Sequence, residues 1–304
     1  MLRRQFLQAT GATALALSVP HRLRARSTLE AGGMRLDTLS DGNLVLPFDM
    51  LADEAFHDEA MAILQRYGQS ADSYEPPCNL ALLRDGDRTI LFDVGAGPDF
   101  MATVGHMEDA MAALGVAPED VTHLVITHAH PDHIWGLLDD FDEPLLPRAE
   151  VMMGRAEWDY WMDPDTVDAI GAARQSFAVG AQRRLSVVED QVQLFEDGAE
   201  ILPGVQAVAT PGHTPGHMAF QLQLGGQGVM LVGDALANPH LAFERPEWTS
   251  NSDQDPETGA ATRIGLLDRI TADELLVLGF HLPDGGIGRA ERQGDNRYIF
   301  TAGV

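Results

Sequence analysis

In residues 121–138, VTHLVITHAHPDHIWGLL, an apolar run leads into a cluster of histidines. Three histidines and one aspartate fall between His128 and His133, in a chain of 304 residues with only 11 histidines. Imidazole and carboxylate groups are typical ligands of zinc and similar divalent ions. The run HLVIT predicts a buried strand, and Pro131 suits the first turn of a helix. His123 lies within the strand, and we assign it no ligand role.

The change from loop to helix divides this cluster between two points. His128 and His130 can project from the loop toward one point, because loops at strand ends are where a scaffold presents functional groups. Asp132 and His133, on the first helical turn, can project toward a second point. The motif therefore predicts a metal site with two neighbouring positions.

Three later segments supply the missing partners. His213 and His217 lie in TPGHTPGH, between two strand patterns. Asp234 ends the apolar run MLVGD, where an unpaired buried carboxylate would be unfavourable, and His281 ends the run LLVLGFH. Cys78 is the one cysteine, which excludes an intrachain disulfide and a cysteine-rich metal site.

Short apolar runs bounded by turn residues predict strands in two groups. The first group contains residues 80–86, 89–95 and 122–127, and the second contains 192–198, 205–210, 218–226, 228–234 and 275–281. Helical patterns fall between them at 100–114, 132–140, 157 to about 185, and 260–270. This order predicts an α/β fold, a four-layer αββα sandwich of two mixed sheets flanked by helices. Because no segment rich in Pro, Gly and Ser interrupts them, residues 31–304 are predicted to form a single domain.

Residues 1–30 have the pattern of an export signal. Arg3 and Arg4 precede an apolar run from Ala9 to Pro20, about twelve residues, which is too short to span a bilayer. Arg-Arg-x-Phe-Leu resembles a bacterial twin-arginine signal, which predicts an exported, periplasmic protein with no stable membrane association after export. A disordered basic tail is the alternative, and no clean cleavage site follows the run.

The charge balance narrows the choice of partners. Asp and Glu number 46 against 20 basic residues, all of them arginine, for a formal net charge of −26. A field of that sign repels nucleic acids and anionic lipids, so we expect a small-molecule substrate and no nucleic-acid partner. The lack of lysine excludes catalysis through a lysine Schiff base.

Taken in order, these motifs resemble those of the metallo-β-lactamase superfamily. The five motifs of that superfamily correspond here to Asp93 in FDVG, the HxHxDH cluster, His213, Asp234 and His281. The resemblance implies a dinuclear metal site at the sheet edges, with Asp234 bridging the two ions. One ion would bind His128, His130 and His213, and the other would bind Asp132, His133 and His281. Asp93 and His217 would support the site without binding an ion.

A narrower resemblance covers about residues 36–300. LDTLSDGNLVLPFD (36–49), ITHAHPDH, GHTPGH and GFHLPDGGIGRAERQGDNRYIF (279–300) are similar to the methyl parathion hydrolase branch, with its related lactonases and arylesterases. That branch implies aromatic residues at the pocket mouth, matched here by Phe100 and Trp161, with Trp158 nearby. Packing on a helix core face is the alternative for these residues, because the spacing in EWDYW also suits it. Relatives of the branch are often dimers, which leaves a homodimer open.

The chemistry expected of such a site is hydrolysis. Two divalent ions about 3.5–4 Å apart can hold a metal-bridging hydroxide that attacks a carbonyl or phosphorus atom. We therefore expect a metal-dependent hydrolase of small neutral esters, lactones or phosphotriesters, of lactonase, arylesterase or organophosphate hydrolase type. Asp132 and Asp234 are the candidate catalytic residues for moving a proton to the leaving group. Zinc is the first expectation for both ions, with manganese, cobalt or iron as alternatives, because the same ligands accept them.

Three alternatives stay open at this point. A β-lactamase is disfavoured because Asp234 stands where the best-known subclass has a cysteine ligand. A glyoxalase-type thiolester hydrolase would share every ligand but would need a cationic pocket, which the sequence does not reveal. A di-iron redox module is the non-hydrolase alternative. The sequence does not choose the substrate, the metal or the oligomeric state.

Overall fold

The computed structural model describes residues 27–69 and 73–304, and its strands form two seven-stranded sheets. In the first sheet, neighbouring strands follow chain order: β1 (Thr28–Ala31), β2 (Met34–Asn43), β3 (Pro77–Asp85), β4 (Arg88–Phe92), β5 (His123–Ile126), β6 (Glu150–Gly154) and β7 (Val192–Phe195). The second sheet also keeps chain order: β8 (Glu200–Leu202), β9 (Val205–Ala209), β10 (Met218–Leu224), β11 (Gln227–Gly233), β12 (Leu276–Gly279), β13 (Ile287–Gly294) and β14 (Arg297–Ala302).

Helices lie on the outer faces of both sheets. They are α1 (His57–Arg66), α2 (Met107–Ala113), α3 (Pro131–Ile134), α4 (Arg155–Met162), α5 (Thr166–Ala169), α6 (Gln175–Val188), α7 (Leu241–Glu244) and α8 (Pro256–Ala272). Both sheets are mixed: β4 to β7 pair in parallel, as do β11 and β12, and the other neighbours are antiparallel. The predicted four-layer αββα sandwich is confirmed.

The inner strands are buried on both faces, which explains why they are almost continuously apolar. In β3, Leu80 and Leu82 pack on the helix side of the first sheet, in one core with residues of α2 and α6. The alternate residue Ala81 faces the second sheet. Phe92 and Phe220 join the two sheets, with ring centroids 5.5 Å apart. Helix α8 packs against the outer face of the second sheet.

One strand lies in a different sheet from the one predicted. The sequence pattern places residues 192–198 in the second group of strands, but β7 pairs in parallel with β6 at the edge of the first sheet. The helices α4, α5 and α6 connect these two strands, as a crossover between parallel strands requires. The apolar run itself could not reveal its partner strand.

Three predicted helices are shorter than expected. The helix expected over 132–140 ends at Ile134 and continues only as a 3-10 turn, Trp135–Leu137. The pattern from residue 100 becomes helical only at Met107, because Gly105 has a φ of 85° and lies close to another loop. A Cβ on Gly105 would come 2.4 Å from the carbonyl oxygen of Gly97. The pattern from 157 to 185 is divided among α4, α5 and α6, with Pro164 and Gly171 in the breaks.

The predicted export signal falls mainly on residues 1–26, which lie outside the described residues. The first sheet includes β1, so residues 28–30, which the sequence pattern includes in the signal, pair with β2. In the parts of the chain that the structure describes, no helix has both the length and the apolar character needed to cross a bilayer.

Candidate metal centre

The predicted metal ligands converge at the edge where strands of both sheets end. The loop after β5 carries His128 and His130, and α3 begins at Pro131 and carries the next two ligands. His213 lies in the loop between β9 and β10. Asp234 directly follows β11, and His281 lies two residues beyond β12. The carboxyl ends of strands in an α/β sheet are where ligands commonly bind.

The first cluster consists of three imidazoles. Nε2 of His128 lies 3.1 Å from Nδ1 of His130, which lies 2.8 Å from Nε2 of His213. All three side chains are buried. Three ring nitrogens from two loops far apart in the sequence therefore lie close enough together to bind one ion.

The second cluster combines two imidazoles with two carboxylates. Oδ2 of Asp132 lies 3.5 Å from Nε2 of His133 and 3.3 Å from Nε2 of His281. The carboxylate of Asp234 has one oxygen 3.3 Å from His133 Nε2 and the other 3.3 Å from His281 Nε2. This second oxygen also lies 3.3 Å from Nε2 of His213, so Asp234 connects the two clusters.

These donor sets fit divalent ions. Four ligands around a tetrahedral ion with bonds of 2.0–2.1 Å lie about 3.3–3.4 Å apart, close to the separations within both clusters. Asp132 Oδ2, His133 Nε2 and Asp234 Oδ1 are buried and have no hydrogen-bond partner. Buried polar atoms without a partner are rare and call for an explanation, which a bound ion would supply.

Three of the five imidazoles are oriented by hydrogen bonds to the other ring nitrogen. His133 Nδ1 donates to Asp93 Oδ2 at 2.8 Å, and His281 Nδ1 donates to the carbonyl of Pro77 at 2.9 Å. His128 Nδ1 lies 3.0 Å from the hydroxyl of Thr127. These contacts select the tautomer that leaves the cluster-facing nitrogen free to bind a metal.

Asp93 and Thr127 form the support behind the second cluster. Asp93 has a φ of 61°, and it accepts hydrogen bonds at 2.8 Å from both the N–H and the hydroxyl of Thr127. Aspartate is among the few residues that adopt this left-handed conformation readily. Asp93 is thus held in place by the residue before the HxHxDH motif.

His217 contacts the site from behind. Its Nε2 accepts the N–H of Asp234 at 3.0 Å, and its Nδ1 lies 2.7 Å from the hydroxyl of Thr210. Both ring nitrogens are therefore engaged, and burial lowers the pKa of His217 to about 3. A Cβ on Gly233 would come 2.6 Å from His217 Nε2, so glycine is required where the chain turns toward Asp234.

The two clusters differ in charge. Burial, together with the neighbouring imidazoles, holds the pKa of His128 and that of His130 well below the usual value, so both offer free lone pairs. Burial acts in the same direction on His133, but Asp234, Asp132 and Asp93 outweigh it and raise the pKa of His133 well above its usual value. A metal ion entering the second cluster would therefore displace a proton.

Three residues that support the ligand loops were not predicted from the sequence. Glu157, on α4, is fully buried and accepts four hydrogen bonds from groups around the ligand loops. Asp253 accepts from Arg263 at 2.7 Å and lies 3.4 Å from Nδ1 of His213. Asn79 donates to the carbonyls of Phe280 and Leu282, on either side of His281, at 2.9 and 2.8 Å. The only sequence signal was that Glu157 shares a helical face with Trp161, four residues later.

The predicted pocket aromatics differ in position. Trp161 is fully buried, its N–H donates to Glu157, and its ring centroid lies 5.8 Å from that of His130, as the packing alternative expects. Trp158 and Phe100 are partly buried against the first core. Phe177 links Phe100 to the site, with ring centroids 6.1 Å from Phe100 and 5.8 Å from His130.

Sequence comparisons place this chain among known metal-dependent hydrolase-fold proteins. The model of the metallo-beta-lactamase superfamily matches residues 74–279. The N-acyl homoserine lactonase AttM of Azorhizobium caulinodans is 32% identical over 123 residues, which cover 40% of this chain and 43% of that protein. AttM of Agrobacterium fabrum is 30% identical over 127 residues, 41% of this chain and 44% of that protein. The chain thus spans less than half the length of these two relatives.

Solved structures match nearly the whole chain. AidC, a dizinc quorum-quenching lactonase solved with the product N-hexanoyl-L-homoserine, has a TM-score of 0.85 at 21% identity, covering 91% of this chain and 97% of AidC. The hydrolase AbOPH of the beta-lactamase superfamily has a TM-score of 0.82 at 25% identity, covering 90% of this chain and 95% of AbOPH. The likeness to AidC establishes a common fold.

Proposed function

The chain belongs to the metallo-beta-lactamase superfamily, and from that premise we propose that it is a dinuclear zinc hydrolase that opens small, uncharged lactones. The observation that carries the proposal is the pair of clusters joined by Asp234, whose donor atoms are spaced for two divalent ions. Two divalent ions bound there would lower the pKa of a water molecule toward neutrality and polarise the substrate carbonyl. The named lactonase relatives support the choice of lactones among the esters.

The protein's own residues have separate tasks in this proposal. His128, His130, His213, His133 and His281 hold the ions through nitrogens whose opposite ring atoms are mostly fixed by hydrogen bonds. Both oxygens of Asp234 face ring nitrogens of the clusters, so Asp234 is committed to binding. Asp132 presents Oδ2 to the second cluster, which leaves its other oxygen to take a proton and pass it to the leaving alkoxide.

A neutral substrate suits the charges near the site. Arg263 is paired with the buried Asp253, and Arg174 donates to the carbonyls of Asn251 and Ser252 in the same loop. These guanidinium groups are therefore already engaged and are poorly placed to receive an anionic thiolester. Phe177 and Phe100 supply apolar surface that suits an acyl chain or an aromatic ring.

A substrate panel tests the proposal. Zinc-loaded full-length protein is assayed with N-hexanoyl-homoserine lactone, dihydrocoumarin, a paraoxon-type triester, phenyl acetate and nitrocefin. We expect the lactones to give the highest kcat/KM and nitrocefin to give no measurable turnover. Chelator-stripped protein should be inactive and should recover when zinc is returned. Full activity in the stripped protein would contradict metal-dependent hydrolysis, and turnover of nitrocefin alone would contradict the substrate class.

We also propose that the protein is exported and that its partners do not include nucleic acid. The paired arginines support export through the twin-arginine route to the periplasm, and the net charge of −26 supports a partner set without nucleic acid. Fractionation of cells that express the full-length protein, compared with an Arg3→Gln, Arg4→Gln variant, tests the export route. Retention of wild-type protein in the cytoplasm would contradict it.

A further inference from the structure

Glu157 is a buried carboxylate outside the proposed set of metal ligands, and its two oxygens accept four hydrogen bonds. Its side chain has no exposed surface. Oε1 accepts the N–H of Ala129 at 3.0 Å and the indole N–H of Trp161 at 2.5 Å. Oε2 accepts the hydroxyl of Thr214 at 2.7 Å and the N–H of Gly216 at 3.0 Å. Burial raises the pKa of Glu157, and these four donors oppose the effect.

Three of the four donors belong to the two loops that form the first cluster, and the fourth, Trp161, lies on α4 with Glu157. Ala129 stands between His128 and His130, and Thr214 directly follows His213. In sequence, Glu157 is 28 residues from Ala129 and 57 from Thr214. One carboxylate thus connects the loop of His128 and His130 with the loop of His213.

The backbone is shaped to let this contact form. Gly216 lies so close to α4 that a Cβ on it would come 2.1 Å from the N–H nitrogen of Glu157. Any larger residue at position 216 would push the loop of His213 away from the helix. The close approach brings both Thr214 and Gly216 within reach of Oε2.

The charge state follows from the partners. All four neighbours are N–H or O–H donors, and an ionised carboxylate is a pure acceptor with room for all of them. A glutamine of the same shape would have to turn its NH₂ group toward one pair of donors. The two hydrogen bonds accepted at that position would be lost. Two buried donor groups of the protein would then face the NH₂ group, which is itself a donor.

We propose that Glu157 is the positioning residue of the first metal cluster, holding the HxH loop and the His213 loop at the separation that one ion requires. The inference rests on the metal centre of the proposed function. Residues that orient metal ligands typically change metal affinity by about 10- to 100-fold when they are replaced. A residue with only a structural role would change the free energy of unfolding and leave the affinity of the folded protein for the ion unaltered.

The chain offers a matched control. Glu244, on α7, is another buried glutamate, and it accepts from Arg66, Tyr67 and Arg297 at 2.6–2.9 Å. Its partners lie on α1 and β14 and at the end of α1, away from the ligand loops. Glu244→Gln therefore repeats the chemical change without touching the first cluster.

The test measures zinc affinity, with no assay of turnover. A His281→Ala background removes one ligand of the second cluster, so that the remaining tight ion reports on the first. Chelator competition then compares this background with the same protein carrying Glu157→Gln or Glu244→Gln. We expect Glu157→Gln to weaken binding about 10- to 100-fold and Glu244→Gln to leave it within about twofold.

Equal affinities in the two variants would overturn the inference and leave the proposed function standing. A wild-type protein that binds no zinc would overturn both. If Glu157→Gln does not fold, Thr214→Val removes one of the four donors and replaces the first variant in the same comparison. We then expect a loss of several-fold, and an unchanged affinity would count against the positioning role.

Discussion

Nδ1 of His133 lies 2.8 Å from Oδ2 of Asp93, a residue 40 positions earlier at the end of a different strand. The contact directs Nε2 of His133 into the second cluster, where it lies 3.3 Å from Asp234. Asp93 itself is held by Thr127, which precedes the HxHxDH motif. The ligand geometry therefore depends on residues that would touch neither the ions nor the substrate.

Asp93→Asn should weaken the second ion by about 10- to 100-fold. Asparagine tolerates the φ of 61° at this position, so the backbone has no reason to move. It lacks the charge that strengthens the bond from His133. Zinc titration of the stripped variant should show one tight and one weakened site. Two sites of wild-type affinity would mean that Asp93 does not orient His133.

His217→Ala should lower activity while leaving two ions per chain. Both ring nitrogens of His217 are occupied by Thr210 and by the N–H of Asp234, so its removal loosens Asp234 without deleting a ligand. Elemental analysis of the purified variant, after loading with zinc, gives the ratio of metal to protein. A fall to one ion per chain would contradict a purely supporting role for His217.

Phe177→Ala should raise KM for lactones with long acyl chains. The ring of Phe177 lies 5.8 Å from that of His130, beside the first cluster. Loss of its apolar surface should cost about 1 kcal/mol of binding, or about fivefold in KM, with a smaller change in kcat. A homoserine lactone with a short acyl chain is the internal control, because it offers little apolar surface to the ring of Phe177. Equal effects on both substrates would place Phe177 outside the pocket wall.

His240 should make the ion-free protein sensitive to mild acid. Burial lowers the pKa of His240 to about 4, whereas histidine in an unfolded chain has a pKa of about 6.5. Its contribution to stability is therefore complete above about pH 6.5 and is lost as the pH falls from 6.5 toward 4. The rings of His240 and Tyr67 stack with their centroids 3.7 Å apart. Phenylalanine at position 240 can keep this stacking but cannot take up a proton.

Denaturant unfolding at pH 7, 6, 5 and 4, in the presence of a chelator, makes this comparison. The difference in unfolding free energy between wild type and His240→Phe should shift in favour of the variant as the pH falls. A difference that does not depend on pH would mean that His240 titrates normally in the folded protein.

The sequence predicts which side chains come together at this edge, because four of the seven candidate ligands cluster along the chain. His128 to His133 lie within one loop and one helical turn, and the remaining candidates each end an apolar strand or lie between two strands. Strand ends meet at the same edge of a sheet, so position in the sequence translated directly into position in space.

Some strands, and the long-range supports Glu157, Asp253 and Asn79, could not be found in this way. Strand β2 carries Asp37, Thr38 and Ser40, which are buried although polar, so its apolar pattern is broken. The partners of Glu157 and Asp253 are set by folding of loops far apart in the chain. Hydrogen bonds between distant segments leave no periodic signal for a single sequence to display.

The most direct test of the account is a zinc titration of stripped, full-length protein in which bound metal and lactone hydrolysis are measured on the same samples. We expect activity to rise as the second ion binds and to reach its maximum at two ions per chain. Asp234→Ala, which removes the link between the clusters, should bind at most one ion tightly and lose activity by more than about 100-fold. Maximal activity without bound metal, or a wild-type protein that holds fewer than two ions when saturated, would contradict the dinuclear account.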